Sequence, residues 1–311
     1  MPYGDARGPG VGRLTVRLIS ADEFIELEAA KMDWVIHTLI ARPSKVTLIG
    51  APKEGKTFLA AGLADSVARG GEFLGHHCET GRVLYLQLDT PAPVWKDTLR
   101  KLRDSGNGVH PGVLFVHPND QKRPLNVLTP DTRQYLREAL HAAKPDLVIL
   151  DTLRKIHSAD ENDSTEMKIV FDQIDDVFGT HALLILHHTR KLPADATEPD
   201  PAQTGRGSSY ITGDVDGIWL LHGGRLRTTS RFDERNVYGL VREENGLWSS
   251  PDDTRKRQLT EQVVGLCTEH PDMPHAKLAP LAKARWGMSR ATYYRLMAGR
   301  LCAHSAPPVA T

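Results

Sequence analysis

The stretch that decides the fold runs from residue 45 to residue 57 and reads KVTLIGAPKEGKT. Residues 46–49 are apolar and largely β-branched, which predicts a buried strand. From Gly50 onwards the stretch matches G-x-x-x-x-G-K-[ST] at every fixed position, and a helical apolar stripe follows over residues 58–69. A strand, a glycine loop and a helix in this order are the structural context of a phosphate-binding P-loop.

Individual residues of this loop have separate expected roles. Gly50 and Gly55 let backbone N–H groups point inwards at a β-phosphate, and the helix N-terminus adds its partial positive charge. Lys56 is expected to neutralise the β- and γ-phosphates, and the Thr57 hydroxyl to bind Mg²⁺. The predicted ATP site consists of Gly50, Ala51, Pro52, Lys53, Glu54, Gly55, Lys56, Thr57 and Phe58.

Length and composition restrict the class of protein. The chain has 311 residues, enough for one large α/β domain and a small appendage, with 39 acidic and 39 basic residues. Because the charges balance, any nucleic-acid contact must come from a local basic patch. The three cysteines are far apart, and we find no membrane-spanning or signal segment, so a cytoplasmic protein without a membrane partner is expected.

Apolar runs alternate with helical patterns as far as residue 188. The expected strands are residues 82–89, 112–117, 145–151 and 181–188, and the expected helices are residues 94–103, 131–143 and 163–178. Because these runs are apolar throughout, they predict an α/β fold with a mostly parallel sheet covered by helices on both faces. Short strands between residues 215 and 248 predict an antiparallel extension of that sheet.

Two acids and a histidine pair are expected near the P-loop, because the carboxyl ends of parallel strands share one edge. Asp151 is the candidate acid that holds Mg²⁺ through water. Asp89 is a candidate to orient or deprotonate the attacking water, the alternative being a turn acid ahead of Pro91. One of His187 and His188 is expected to face the γ-phosphate, and a buried, hydrogen-bonded histidine is the alternative.

The run His76-His77-Cys78 resembles part of a metal site. Its sequence surroundings show no second pair of ligands with metal-site spacing, so a loop is expected instead.

Four blocks of sequence resemble a known family. They are LDTLRKIH at residues 150–157, DENDS at 160–164, HHTRK at 187–191 and RGSS at 206–209. They resemble the plasmid RepA-type replicative helicases and the RecA-like ATPases grouped with them, over about residues 30–250. The resemblance implies a RecA-like core, ATP hydrolysis between the subunits of a hexameric ring, and single-stranded DNA in its channel.

The resemblance also implies roles for single residues. Lys56 and Thr57 would hold phosphate and Mg²⁺, Asp151 would be the Walker B acid and His188 the phosphate sensor. Asp89 stands where the family usually has a catalytic glutamate, and its carboxylate is one C–C bond shorter. Misplacement of about that order can cost ~100-fold in rate, so slow turnover, or help from Glu54, is expected.

Basic residues provide the remaining candidates of the ATPase region. Arg227, Arg231 and Arg235 are candidates for an arginine finger that acts on a neighbouring subunit, and Arg231 is preferred. Each arginine has the alternative of being a solvated charge. Lys191 and Arg206 belong to a Pro-rich loop that is expected to contact DNA phosphate, with an ordinary surface loop as the alternative.

The C-terminal part predicts a separate module. From Pro251 onwards there are nine Lys and Arg residues against five Asp and Glu residues. Leu278, Leu281 and Ala282 are expected on one helix face, and Ser289 is expected to cap a last helix. Arg290 and Arg295 of that helix are then candidates for duplex DNA binding in a helix-turn-helix, and a docking or oligomerisation module is the alternative.

The expected division of the chain and its function follow together. The predicted segments are a disordered tail at 1–13, an ATPase domain at 14–250, a linker at 251–257, a helix-turn-helix-like domain at 258–300 and a tail at 301–311. The leading hypothesis is a ring-forming, DNA-stimulated ATPase, or helicase, in replication or recombination of a mobile element. An ATP-switched DNA-binding regulator and a single-strand recombination mediator are the alternatives.

Overall fold

The computed structural model of the protein describes most of the chain. The described residues are 18–26, 31–103, 110–116, 124–189, 201, 210–232, 236–242, 248–249 and 251–301, with backbone alone at 102, 210, 251–258, 261, 295 and 298–301. The chain forms two compact units, residues 1–33 and 34–311. In the first unit the described helix is α1 (Ala21–Glu26), where Ser20 and Glu23 bond each other's backbone N–H groups as a capping box.

From residue 44 to residue 188 the longer strands and helices alternate as the apolar runs predict. The strands are β1 (Asp33–Ile36), β2 (Ile40–Arg42), β3 (Ser44–Gly50), β4 (Glu72–Phe73), β5 (His76–His77), β6 (Val83–Gln87), β7 (Val113–Val116), β8 (Leu147–Asp151), β9 (Ala182–His188), β10 (Gly217–His222), β11 (Arg225–Ser230), β12 (Asn236–Gly239), β13 (Val241–Arg242) and β14 (Trp248–Ser249). The further helices are α2 (Lys56–Arg69), α3 (Ala92–Leu102), α4 (Pro130–Ala143), α5 (Ser164–Phe178), α6 (Tyr210–Gly213), α7 (Pro251–Glu269), α8 (His275–Trp286) and α9 (Arg290–Leu301).

The central sheet has the strand order β12-β11-β10-β3-β9-β8-β6-β7 within the described residues. Every pair from β10 to β7 is parallel, while β10–β11 and β11–β12 are antiparallel. The predicted mostly parallel sheet is therefore confirmed. The antiparallel extension begins one strand later than expected, since β10 runs parallel to β3, and β13 and β14 pair separately.

Helices cover both faces of this sheet because side chains alternate along each strand. Leu147 and Ile149 of β8 belong to the apolar cluster that contains the buried face of α2, whereas Val148 and Leu150 belong to the cluster of α4 and α5. Thr129 and Asp163 precede α4 and α5 as their N-cap residues. Two buried faces explain why the strands are apolar at nearly every position.

The C-terminal helices have a core of their own. Val263, Leu266, Leu278, Ala282 and Tyr293 are buried together between α7, α8 and α9. The Ser289 hydroxyl accepts a bond from the backbone N–H of Thr292 at 3.1 Å, so the predicted cap of α9 is present. The helix-turn-helix assignment itself stays a prediction.

Two details of this region differ from expectation. Residues 251–257, which were expected to form a linker, are helical, since α7 begins at Pro251, a residue that suits the first helical position. Leu281 is 38% exposed, so it does not share the buried face of Leu278 and Ala282. The predicted domain boundaries remain predictions, and no described helix is both long and apolar enough to cross a membrane.

Candidate nucleotide site

The P-loop has the predicted geometry, with β3 ending at Gly50 and α2 beginning at Lys56. Gly55 is the N-cap of α2 and has φ +100°, a left-handed conformation that L side chains rarely adopt. A Cβ atom on Gly55 would also lie 2.7 Å from Nε1 of Trp248. Glycine is therefore required here by both the backbone conformation and the neighbouring ring.

Lys56 is a buried cation held by backbone carbonyl groups. Its ammonium nitrogen donates to the carbonyl oxygens of Gly50 at 2.8 Å and Ala51 at 3.0 Å. Burial lowers the pKa of Lys56, and the carboxylates of Asp151, Glu54 and Asp89 oppose that effect only in part. Because carbonyl dipoles compensate a buried charge incompletely, the loop favours an anion beside this side chain.

Asp151 lies at the carboxyl end of β8 and is buried. Its Oδ2 accepts bonds from the Tyr85 hydroxyl at 2.9 Å and from Nε2 of Gln87 at 3.0 Å. Burial raises the pKa of Asp151 to about 6, although the bonds from Thr57 and Tyr85 and the charge of Lys56 oppose the shift. A carboxylate and a hydroxyl held together in this way are oxygen donors that fit Mg²⁺.

His188 and His187 occupy different environments at the end of β9. His188 pairs with Gly50 in the sheet, and its Nδ1 is 3.4 Å from the Lys56 ammonium nitrogen. Burial, followed by the charge of Lys56, lowers the pKa of His188, so a neutral imidazole is favoured there. His187 is fully buried, 3.9 Å from Glu161. Of the two histidines, His188 is therefore the one beside the P-loop.

Asp89 follows β6 on the same edge of the sheet. Its carboxylate is 41% exposed and forms an ion pair with the Lys155 ammonium group at 3.4 Å. Its backbone N–H donates to the Gln87 side chain at 2.9 Å. The structure thus brings Asp89 near Lys56 and Asp151, and it adds Lys155 as a partner that sequence reasoning missed.

Glu54, within the loop, and Trp248, outside it, form hydrogen bonds with backbone groups that brace the P-loop. Glu54 accepts bonds from the backbone N–H groups of Ala51 and Gly223, both at 2.9 Å. The Trp248 indole donates to the Gly55 carbonyl at 3.1 Å. The Glu54 carboxylate is therefore occupied in bracing the loop, and β14 lies against the start of α2. Only Glu54 was singled out from the sequence, since no local pattern links Trp248 to a loop so far away in the chain.

The described basic candidates lie on β11, just after β11 and in the C-terminal helices. Arg231 follows β11 at the sheet edge opposite the P-loop, where Ser230 pairs with Gly217, which in turn pairs with Val46. Its side chain is 70% exposed and lies 3.3 Å from the Asp216 carboxylate. Arg227 lies within β11. In the C-terminal helices, Arg290 is exposed above the ring of Tyr294, 5.7 Å from its centroid.

Some predictions lie outside the described residues. These are the tail at 1–13, Lys191, Arg206, Arg235, the side chain of Arg295 and the tail from residue 302.

Comparison with known protein families agrees with this geometry, since a family model described as an AAA domain matches residues 13–194. Two solved structures are also similar to the chain. One is an ATPase domain, at 14% identity and a TM-score of 0.47, over 67% of this chain and 84% of that chain. The other is the flagellar accessory protein FlaH from Methanocaldococcus jannaschii, at 12% identity and a TM-score of 0.39, over 64% of this chain and 86% of that chain.

Proposed function

We propose that this chain, which belongs to the AAA domain family and is a P-loop ATPase, is a ring-forming, DNA-stimulated ATPase of helicase type. The observation that supports this most directly is the buried Asp151 carboxylate, which Tyr85 and Gln87 hold close to Lys56 and Thr57 of the P-loop. Asp151, Lys56 and Thr57 would hold Mg²⁺ and the phosphates of ATP, as hydrolysis requires.

Each of these groups has a proposed role in ATP hydrolysis or DNA binding. Lys56 binds the β- and γ-phosphates, and Thr57 and Asp151 hold Mg²⁺, which neutralises developing charge. Asp89 orients or deprotonates the attacking water, and the neutral His188 next to Lys56 senses the γ-phosphate. Lys191 and Arg206 would contact single-stranded DNA, and Arg290 and Arg295 would contact a duplex.

A ring explains why Arg231 is exposed at the far edge of the sheet. Gly50 and Val46 lie four residues apart on β3, a distance of about 13 Å along a strand. An arginine at the Val46 end does not serve the P-loop of its own subunit, but its exposed side chain can approach the P-loop of a neighbour. We therefore assign Arg231 as the finger that stabilises charge on a neighbouring γ-phosphate.

We expect ATP turnover of the full-length protein to increase with single-stranded DNA at low salt and to lose this stimulation as salt weakens phosphate contacts. Phosphate release is the measurement, and Lys56→Ala is the inactive control. ATP-dependent rings in sedimentation velocity would accompany the stimulation. Turnover that ignores DNA, together with failure to assemble, would contradict the motor.

A mixing experiment tests whether Arg231 acts between subunits. Arg231→Ala and Lys56→Ala proteins are each expected to lose most of their turnover. In an equimolar mixture, about a quarter of ring interfaces pair an intact Lys56 with an intact Arg231, so about that share of wild-type turnover should return. A mixture as inactive as its components would place the arginine outside the shared site.

The ion pair between Asp89 and Lys155 favours one alternative function. A carboxylate that is held in an ion pair with a lysine is drawn away from an attacking water, so hydrolysis would be slow. ATP would then act as a switch for assembly, and α7–α9 would locate a DNA site. Slow, DNA-independent turnover together with duplex binding that disappears when residues from 251 are deleted would support this regulator over the helicase.

A further inference from the structure

Three metal-ligating side chains converge where the turn after β1 meets β5. The ligand atoms of His37, His77 and Glu79 all lie within 4.8 Å of one another. Nε2 of His37 is 2.9 Å from Oε1 of Glu79, and Nε2 of His77 is 3.8 Å from the same oxygen. These side chains take no part in the nucleotide site.

The backbone holds the two segments in register. The His37 N–H donates to the His77 carbonyl at 2.9 Å, and the Glu79 N–H donates to the Val35 carbonyl at 3.0 Å. Ile36 and Cys78 form an antiparallel bridge between these bonds. Residues two apart on an extended segment point to the same side, which places His77 and Glu79 together facing His37. The convergence therefore follows from main-chain pairing.

We propose that His37, His77 and Glu79 bind a zinc-class divalent ion, with a fourth position open to water. Two imidazole nitrogens and one carboxylate oxygen are a donor set that Zn²⁺ uses in proteins, whereas Mg²⁺ and Ca²⁺ prefer oxygen ligands alone. The three side chains are 44%, 57% and 57% exposed, so an ion reaches them from solvent without opening the fold.

Surrounding side chains orient the first histidine. The His37 ring stacks on Trp34 with centroids 6.4 Å apart, and Trp34 in turn meets Phe232 edge-on at 5.6 Å. His76 faces away from this cluster, with its ring nitrogens near the Thr38 and Tyr238 hydroxyls. The ion would join the turn after β1 to β5, segments 40 residues apart in sequence, and so stabilise the folded state.

Zinc titration of the full-length, tag-free protein tests the proposal. The protein is freed of metal by chelation and kept in excess Mg²⁺, so that oxygen-ligand sites are occupied. We expect one saturating Zn²⁺ equivalent by calorimetry, a higher Tm, and the visible absorption of tetrahedral cobalt with Co²⁺. Removing a group that hydrogen-bonds to a metal ligand costs about 10–100-fold in metal affinity. Removal of a ligand itself, as in His37→Ala or His77→Ala, should therefore weaken binding by about 100-fold or more.

Two matched variants make the result specific. His141 is an exposed histidine on α4, and His141→Ala should retain the full affinity and Tm shift. In the wild type, Ni²⁺ bound at this site should quench the emission of Trp34, because Trp34 stacks on His37. Trp34→Phe should retain metal binding but lose this part of the quenching. Zinc bound with equal affinity by wild type and by the His37→Ala/His77→Ala double variant, or no saturable equivalent at all, would overturn the proposal.

Discussion

Lys56→Ala is expected to reduce ATP turnover by about 1,000-fold, the upper end of the cost of removing one group that stabilises developing charge. The ammonium group is buried and its pKa is lowered by that burial, so it acts in an environment where water screens little. Alanine leaves the two carbonyl groups of Gly50 and Ala51 facing the phosphate site with no cation between them. Phosphate release at saturating ATP is the measurement, with fluorescent-nucleotide binding as the second readout.

The control for this substitution is another lysine. Lys168 lies on α5, is 57% exposed and pairs with Asp172. Lys168→Ala should keep turnover within about twofold of wild type, since such surface pairs contribute little. Turnover of Lys56→Ala within tenfold of wild type would mean that the loop does not bind the phosphates as assigned.

Asp151→Asn is expected to abolish most turnover and at the same time to stabilise the protein. The loss of a ligand for Mg²⁺ should reduce turnover by about 100-fold or more. The gain in stability follows from the pKa of Asp151, which is raised from 3.8 to about 6 in the folded protein. A difference of that size corresponds to about 3 kcal/mol that the ionised, buried carboxylate costs the folded state.

The pH dependence of this stabilisation follows from proton binding to Asp151. Between about pH 4 and pH 6 the folded state binds a proton that the unfolded state has lost, so the wild type loses stability as pH rises through this window. The stabilisation by Asp151→Asn should therefore be largest at pH 8, about 3 kcal/mol, and fall to about half of that at pH 5. The asparagine oxygen still accepts bonds from Tyr85 and Gln87.

Denaturant unfolding of nucleotide-free and Mg²⁺-free protein at the two pH values measures this difference. Asp172→Asn is the matched control, because Asp172 is 49% exposed on α5 and should change stability by no more than about 0.5 kcal/mol. An Asp151→Asn protein less stable than wild type at pH 8 would contradict the assignment. Equal differences in the free energy of unfolding at both pH values would also contradict it.

The nucleotide site could be predicted largely from sequence because its signal is local. Residues 45–57 contain strand, loop and helix start in one run, and Asp151 ends a run of buried residues. Gln87 was overlooked, although a glutamine in an otherwise apolar strand is itself a signal of a buried hydrogen bond. Its side chain bonds Asp151 and positions the backbone of Asp89.

Other features depend on pairing between distant segments and were not predictable in this way. Nothing near residue 55 indicates that Trp248 covers it, and nothing near His77 indicates that His37 lies opposite. The helical structure of residues 251–257 was not predicted for another reason. Charged residues after a proline fit a linker and the exposed first turns of a helix equally well, and the structure shows the helix.

The helical start at Pro251 also limits how far the C-terminal helices can move. Trp248 is bonded to the P-loop, and three residues span at most about 11 Å even when fully extended. This short connection keeps the start of α7 near the P-loop, so a contact between α7 and the P-loop region would cost little entropy. The first turn of α7 is thereby kept close to the P-loop.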